Sequence, residues 1–361
     1  MNITEIKQKG DELYFKFYDE VRKCSAQKTR IKQFKRLSSV NVLTKEQKQA
    51  VREFYAPYKV PNLIFHAFFT EKTGEFHANY IPQDLYVGYI DPYLNDLNEA
   101  KYIDNKCYFG ALFNTIPQPY SVLKRVNGFW FDYEGNPVNF EVALNIIEKE
   151  NEGVFIKEAR DSSGGHGVVF VVSDADTKIR ARKVIDAIHT DIVIQRPLHQ
   201  HKELAAINSS SVNTMRLYSV LKKDGSVKIY SGVLRIGVGN IKVDNYASGG
   251  LSCGITSDGK LRKFAFNKKG QKFEMHPVSK VVFEGFRIPS YEKAVELVQK
   301  AHRMMPHFRS VSWDVSIQED GNPVLIEGNL CRGGIDLLQL SNGPLFGEDT
   351  KEILDEVFAK K

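Results

Sequence analysis

The chain has 361 residues, of which 42% are apolar and 26% are charged, and its formal net charge is +6. This balance is typical of a folded globular protein and excludes the intrinsically disordered and low-complexity classes. No stretch reaches the roughly 18 apolar residues of a membrane-spanning helix, and the first residues lack the basic-then-apolar pattern of a secretory signal. Four scattered cysteines without a Cys-x-x-Cys pair disfavour a zinc ribbon and a disulfide scaffold. We therefore expect a cytoplasmic protein.

The positive charge is concentrated at the N-terminal end. Residues 1–60 contain 14 Lys or Arg and 7 Asp or Glu, whereas the opposite charges nearly balance over the remaining chain. Apolar residues recur there at helical spacing, and Thr44, followed three residues later by Gln47, predicts a capping box that opens a second helix. We interpret the basic side chains as the solvated face of packed helices, with peripheral contact with an anionic partner as the alternative. Residues 61–105, rich in aromatic residues and proline, are predicted to be loop-heavy.

From about residue 106 the pattern changes to short strands and helices without strict alternation, which favours an α+β class. In the middle of the chain the predicted strands are 120–131, with an Asn127-Gly128 turn, 154–157, 168–172 and 191–195, and the predicted helices are 139–149 and 177–189. Further on, the predicted strands are 214–221, 227–236, 261–266, 311–318 and 323–327, and the predicted helices are 291–305 and 350–359.

The segment 310–329 contains the clearest candidate site. Asp320-Gly321 predicts a hairpin with a two-residue turn, which places Asp314 directly opposite Glu327 and puts Asn329 on the same face as Glu327. Two carboxylates in opposition are destabilising by themselves, and a bound cation removes the conflict. Two carboxylates and an amide oxygen suit Mg²⁺. The alternative is a solvated hairpin face whose acids point to water.

A lysine and a glycine-rich loop form the second candidate. Lys157 ends a predicted buried strand, and the Ser/Gly-rich residues 162–167 precede the next strand. Glycines let the backbone approach a phosphate closely, and a lysine adds a charge for phosphate oxygens. No Gly-Lys-Ser/Thr precedes a helix, which excludes a Walker A loop. The alternative is an ordinary hairpin loop.

Two weaker features follow. The strand ending at Gln195 runs into Arg196-Pro197-Leu198, where backbone groups left unpaired could bind an adenine edge, with a plain strand exit as the alternative. Arg216 and Arg235 lie between apolar neighbours in predicted strands, and a buried arginine needs an anionic partner. That partner is either a ligand or a structural ion pair.

Along the chain, a phosphate lysine, a glycine-rich hairpin loop, a strand-to-hinge segment and a carboxylate hairpin ending Glu-x-Asn occur in that order. This order resembles the ATP-grasp superfamily, in which two αβ lobes grip ATP. More narrowly, the chain resembles the sugar-transfer-associated ATP-grasp family, found beside polysaccharide-building genes, over about residues 100–340. The pieces that carry this narrower resemblance are 211–216, 234–237, 243–245, Gly249-Gly250, His276-Pro277, Trp313-Asp314 and 327–329.

The resemblance implies roles for individual residues. The metal ligands, for Mg²⁺ with Mn²⁺ as an alternative ion, would be Asp314, Glu327 and Asn329. The residues that would bind ATP are Lys106, Lys157, Ser163, Gly164, Gly165, His166, Gly167, Gln195, Arg196, Leu198 and Glu203. Arg216 and Arg235 would be catalytic, and the substrate residues would be Asn213, Asn245, Gly249, Gly250 and His276.

The resemblance also implies a domain order and an activity. We expect a helical basic region over 1–65, a pre-grasp, substrate-side region over 66–119, a lid lobe over 120–198 and a C-terminal lobe with the metal site over 199–361. The implied enzyme is an ADP-forming carboxylate–amine ligase that makes an amide through an acyl phosphate. Its substrates would be an amine and a small-molecule or glycan-linked carboxylate, such as a sugar acid or a sugar-linked amino acid, in polysaccharide or cell-surface glycan biosynthesis.

Two alternatives to the ligase stay open. One is a kinase on the same scaffold that phosphorylates a hydroxyl, and the other is a non-catalytic nucleotide-binding module of a glycan-assembly complex. No recognised nucleic-acid motif accompanies the basic residues, so we expect no nucleic-acid partner. The sequence departs from related patterns at Ser312, where D-alanine–D-alanine ligases carry an arginine, and at Gln195, where a hinge glutamate is common.

Overall fold

A computed structural model describes residues 28–160, 167–239, 249–331 and 333–359. The chain divides into two compact units, one formed by residues up to Leu94 and from Gly334 onwards, the other by Asn95–Gly333. Within the described residues, no helix has the length and apolar character needed to cross a membrane. The predicted helical spacing before residue 28 lies outside the described residues.

The first unit is helical, which confirms the prediction of a helical N-terminal region. Thr44 and Gln47 form the predicted capping box, in which Gln47 N–H donates to Thr44 Oγ1 at 3.2 Å and Thr44 N–H donates to Gln47 Oε1 at 3.0 Å. Numbered along the chain, the helices of this unit are α1 (28–35), α2 (Lys45–Tyr55), α3 (Ile64–Thr73), α4 (Gln83–Leu85), a π-helical turn (Tyr86–Ile90), α5 (Asp91–Leu94), α12 (Asp336–Asn342) and α13 (Thr350–Phe358), with 3₁₀ turns at Val40–Val42 and Gly347–Asp349.

Two expectations about this part of the chain need correction. The segment 61–105 is helical rather than loop-heavy, because its prolines lie just ahead of helices or in a first turn, where a missing N–H is tolerated. Residues 334–359, which were expected in the C-terminal lobe, pack in the first unit. The buried Gln339 amide anchors them there, since it bonds both the N–H and the carbonyl of Ile81 at 2.7 Å.

The second unit contains two antiparallel sheets, and together with the helices it confirms the α+β class. The small sheet, in the order β3-β2-β1-β6-β4-β5, consists of β1 (Ser121–Val126), β2 (Phe129–Asp132), β3 (Pro137–Val138), β4 (Val154–Glu158), β5 (Val168–Val171) and β6 (Ile192–Gln195). The large sheet, in the order β11-β10-β9-β8-β7-β12-β13, consists of β7 (Thr214–Leu221), β8 (Val227–Ile236), β9 (Leu251–Ile255), β10 (Leu261–Phe266), β11 (Lys272–Phe273), β12 (Ser310–Ile317) and β13 (Pro323–Asn329). The helices of this unit are α6 (Leu97–Ile103), α7 (Lys106–Leu112), α8 (Phe140–Glu148), α9 (Thr177–Asp186), α10 (Lys202–Ile207) and α11 (Tyr291–Arg303).

Each sheet has one apolar face and one polar face. In the large sheet, Trp313 and its alternate neighbours point into a core shared with α11, so Ser312 and Asp314 lie on the opposite face. In the small sheet, Ile156 and Ile194 point into a core shared with α8 and α9. The candidate strand residues Asp314 and Lys157 therefore lie on the faces opposite the two cores.

The β12–β13 hairpin has the predicted pairing of Asp314 with Glu327 but not the predicted turn. Gln318 N–H donates to the carbonyl of Asn322 at 2.9 Å, so the loop contains the three residues 319–321 instead of two. A one-residue bulge between this loop and Asp314 shifts the register back. The predicted opposition of the two carboxylates is thus confirmed, although the assumed tip is wrong.

Gly328, between the two candidate ligands of β13, lies against the core. A Cβ added there would approach the Trp313 ring at 2.8 Å, which is closer than packed carbon atoms allow. We expect Gly328→Ala to lower the free energy of unfolding by about 1–3 kcal/mol through overpacking, as measured by urea denaturation. Gly110→Ala is the control, because an added Cβ there meets no described atom within 4 Å. Equal stability of both variants would contradict this packing argument.

Candidate active site

Asp314 is the centre of the polar face of the large sheet. It lies on β12 between Arg216 on β7 and Glu327 on β13, and Asp314 is only 3% exposed to solvent. Arg216 Nε donates to Asp314 Oδ1 at 2.8 Å and a terminal nitrogen of Arg216 donates to Oδ2 at 2.7 Å, while Arg235 donates to Oδ2 at 3.0 Å. Burial by itself would raise the pKa of Asp314, but the two guanidinium charges outweigh it and hold that pKa well below its ordinary value. Asp314 is therefore an ionised carboxylate.

Glu327 is in the opposite electrostatic situation. Burial and the charge of Asp314 raise the pKa of Glu327, against the opposing influence of Lys106. Lys106 Nζ lies 3.6 Å from Glu327 Oε2. A proton on Glu327 would relieve the repulsion between the two opposed carboxyl groups.

This group of side chains fits a divalent cation. Three guanidinium N–H groups occupy three of the roughly four lone pairs of Asp314, and one lone pair remains on Oδ1. Asn329 Nδ2 donates to the carbonyl of Ser312 at 3.1 Å. Because the nitrogen is used in this bond, the amide oxygen of Asn329 is the atom that can act as a ligand. Glu327 supplies a second carboxylate whose proton a cation can replace. Among the described residues, no group of three His, Cys, Asp or Glu side chains could hold a metal ion. A cation at the two carboxylates would have the Asn329 oxygen as a further protein ligand and would take the others from water or phosphate.

Lys157 lies on the polar face of the small sheet. Its Nζ donates to Gln195 Oε1 at 2.8 Å, and the Gln195 amide nitrogen in turn donates to Ser121 Oγ at 3.2 Å. Burial lowers the pKa of Lys157 to about 8, and the nearby charge of Lys106 lowers it too, while Glu327 acts in the other direction. The neutral Gln195 positions the ammonium group without neutralising it.

The site is positive overall. The four basic residues Lys106, Lys157, Arg216 and Arg235 exceed the two acids Asp314 and Glu327 by two charges when all are ionised. Such an excess suits a ligand with several negative charges, and phosphate oxygens are natural partners for both lysine and arginine. The structure thus brings together the predicted metal ligands, both predicted arginines and both predicted lysines.

Several predicted residues have other partners. Arg196 pairs with Glu150 at 2.7 and 3.0 Å, and its N–H donates to the carbonyl of Tyr120 at 3.0 Å, so that amide is not open for an adenine edge. The buried His276 bonds the Gly237 carbonyl at 3.0 Å through Nε2, and Nδ1 bonds Ser279. His276 Nε2 therefore holds the residue that follows β8, and Nδ1 is bonded within the loop of His276 itself.

Other predicted site residues lie on α10 or in the connections next to strands. The Asn213 amide, fully buried, donates to the carbonyls of Leu204 and Asn208 at 2.9 Å and so fixes α10, on whose first turn Glu203 is exposed. Leu198 lies in the connection from β6 to α10. Gly167 (φ +71°) precedes β5, and Gly249 (φ +101°) and Gly250 precede β9. Ser163, Gly164, Gly165, His166 and Asn245 lie outside the described residues.

Lys124 is a residue of the same sheet face that was not among the predicted site residues. It pairs with Val193, which also pairs with Lys157, so Lys124 projects from the same face of the small sheet as Lys157. The sequence signal was weak, because Lys124 follows two consecutive buried residues, Val122 and Leu123, instead of an alternating pattern. A lysine within a short predicted strand is usually interpreted as a solvent-exposed residue. Its place on the face of Lys157 becomes apparent only when the order of the neighbouring strands is known.

Comparisons with known proteins bear on this site. The family model for sugar-transfer associated ATP-grasp matches residues 87–354, which is about three quarters of the chain. These residues include both sheets and every side chain of the cluster. The comparison with curated proteins found no match.

The structure is also similar to solved structures. D-alanyl-alanine synthetase A from Vibrio cholerae aligns over 73% of this chain and 67% of that one, with 16% identity and a TM-score of 0.43. L-amino acid ligase from Bacillus licheniformis aligns over 72% of this chain and 48% of that one, with 15% identity and a TM-score of 0.42. N5-carboxyaminoimidazole ribonucleotide synthetase from Thermotoga maritima aligns over 65% of this chain and 44% of that one, with 10% identity and a TM-score of 0.37. The chain spans less than half the length of the last two proteins.

Proposed function

The chain belongs to the sugar-transfer-associated ATP-grasp family, and on that premise we propose that it is an ATP-dependent ligase that joins a carboxylate to an amine. The observation that supports this most is the cluster of two lysines and two arginines around the opposed carboxylates Asp314 and Glu327. An excess of fixed positive charge beside a cation site is what transfer of a phosphoryl group requires, because catalysis there consists largely of positioning and charge neutralisation.

In this proposal ATP is the phosphoryl donor. A carboxylate oxygen of the substrate attacks the γ-phosphorus, and ADP leaves with the electrons of the broken P–O bond. The amine then attacks the acyl carbon, phosphate departs with the former carboxylate oxygen, and the amine loses a proton. Lys106 and Lys157 bind phosphate oxygens of the nucleotide, and Arg216 and Arg235 stabilise the charge that develops during both transfers.

The cation site has a defined role in this scheme. Glu327, Asn329 and the remaining lone pair of Asp314 would hold Mg²⁺, which supplies charge neutralisation for phosphate oxygens. Arg216 and Arg235 fix the Asp314 carboxylate in one orientation and keep it ionised. Residues 162–167 would cover the phosphates and exclude water, which would otherwise hydrolyse the acyl phosphate.

Lys157 makes nucleotide binding dependent on pH. Because its pKa is near 8 in the free protein, its ammonium group loses the proton as the pH rises above 8, and phosphate affinity falls with it. We expect the Kd for Mg–ADP to rise several-fold between about pH 7 and 9, as measured by titration calorimetry. Lys157→Arg retains its charge over this range and should give a flatter profile. A flat wild-type profile would contradict the assignment.

We propose a sugar acid or a sugar-linked amino acid as the carboxylate, in polysaccharide or cell-surface glycan assembly. The support is the family description alone, since fold does not determine substrate. The test is ADP release with Mg²⁺ over a panel of uronic acids, sugar-linked acids and amino acids, with hydroxylamine as a surrogate amine. A hydroxamate formed with one acid supports the ligase. A phosphorylated hydroxyl without hydroxamate would replace it with a kinase, and nucleotide binding without turnover on any acid would favour a binding module.

A further inference from the structure

The helix that carries Lys106 is fastened to the small sheet by a residue that the proposed reaction does not use. Asn105 caps α7, because its Oδ1 accepts the N–H of Cys107 at 2.9 Å. Its Nδ2 donates to Asp191 Oδ2 at 3.4 Å. Asn105 is 1% exposed, so both ends of its amide are directed by the protein rather than by water.

Asp191 connects this cap to the sheet. Its other carboxylate oxygen accepts the N–H of Asn127 at 2.8 Å, at the turn between β1 and β2. Its carbonyl accepts the N–H of Ala159 at 2.9 Å, and the carbonyl of Ala159 accepts the N–H of Lys106 at 2.9 Å. Beneath these bonds, Cys107 packs against Ala159 and Val193.

Through these hydrogen bonds, Lys106 and Lys157 are both attached to strand β4. Ala159 directly follows β4, the strand that carries Lys157, so the backbone of Lys106 is bonded to the end of that strand. Lys106 Nζ then reaches across to Glu327 of the large sheet, at 3.6 Å. A lysine side chain is long and flexible, and its charge is useful at a phosphate only when its backbone is held in place.

We propose that the bond between Asn105 and Asp191 positions Lys106 for the nucleotide, so that both are positioning residues of the site. The inference rests on the proposed function, because it assumes that Lys106 binds ATP. It goes further in assigning a role to two residues outside the cluster. Loss of the bond should loosen the Lys106 backbone and weaken nucleotide binding.

The test reverses the polarity of the bond. Asn105→Asp keeps an oxygen for the Cys107 cap but turns a carboxylate towards Asp191. Adding Asp191→Asn restores a donor–acceptor pair, because the new amide keeps an oxygen for the N–H of Asn127 and offers an N–H to residue 105. We expect the Kd for Mg–ADP to rise about tenfold in the single variant and to return to within about threefold in the double variant.

Two further measurements separate the outcomes. The melting temperature shows whether the single variant is merely unstable, and a fall in melting temperature with unchanged ADP affinity would overturn the positioning role. Failure of the double variant to restore affinity would overturn it as well. Lys106→Met tests the premise: if this variant binds ADP as wild type does, the nucleotide role of Lys106 fails, whereas weak binding by Lys106→Met with normal binding by Asn105→Asp rejects only the role of the bond.

Discussion

Glu327→Gln is expected to lower ATP turnover by about 10²–10³-fold or more, because it removes the carboxylate most available to a cation. We expect no decrease in the free energy of unfolding. Glu327 is partly buried opposite Asp314. Partial desolvation and the charge of Asp314 raise its pKa, so a neutral amide relieves a conflict. Stability equal to or above that of wild type is therefore expected in urea denaturation, alongside the loss of turnover.

Glu319→Gln is the matched control, since Glu319 is exposed in the loop of the same hairpin. It should retain both turnover and stability. Turnover by Glu327→Gln comparable to that of the control would contradict the cation site, and a large loss of stability would contradict the electrostatic description of the pair.

Asp314→Asn is expected to have the opposite effect on stability. The amide deprives Arg216 and Arg235 of the carboxylate charge that both contact. Removing one partner of a buried ion pair typically lowers the free energy of unfolding by about 3–5 kcal/mol, as urea denaturation at neutral pH would measure. Because the folded pKa of Asp314 lies below its ordinary value, this contribution is present above the unfolded pKa and is lost as the pH falls through the folded one.

Asp320→Asn, an exposed position of the same hairpin, is the control and should change stability little. A loss below about 1 kcal/mol in Asp314→Asn would mean that the three guanidinium bonds are compensated by solvent. Asp314 would then be a ligand site without a structural role.

Alternation and turn residues were enough to predict much of the second unit. The assumed Asp320-Gly321 turn predicted that Asp314 opposes Glu327, and that pairing is confirmed. The turn itself was predicted wrongly, because a three-residue loop and a bulge compensate each other, and short-range signals do not count residues across a hairpin. β9 was missed because Ser252 and Gly254 weaken its strand signal, and its interior position between β8 and β10 depends on the tertiary structure.

The contacts of the site required the tertiary structure. A buried arginine predicts an anionic partner, but the sequence did not show that Arg216 and Arg235 share Asp314. That sharing depends on the order of strands in the sheet. Similarly, the meeting of Lys106 with Glu327 depends on where α7 packs. Residue types therefore predicted the chemistry, and strand order determined which side chains meet.

The central claim is that a carboxylate is activated as an acyl phosphate. The most direct measurement uses the acid identified in the hydroxylamine panel, labelled with ¹⁸O in its carboxylate, together with ATP, Mg²⁺ and the amine. Mass spectrometry of the inorganic phosphate should find one ¹⁸O per phosphate released, because the carboxylate oxygen that attacks the γ-phosphorus departs with it. Phosphate formed in step with the amide but without ¹⁸O would contradict an acyl phosphate.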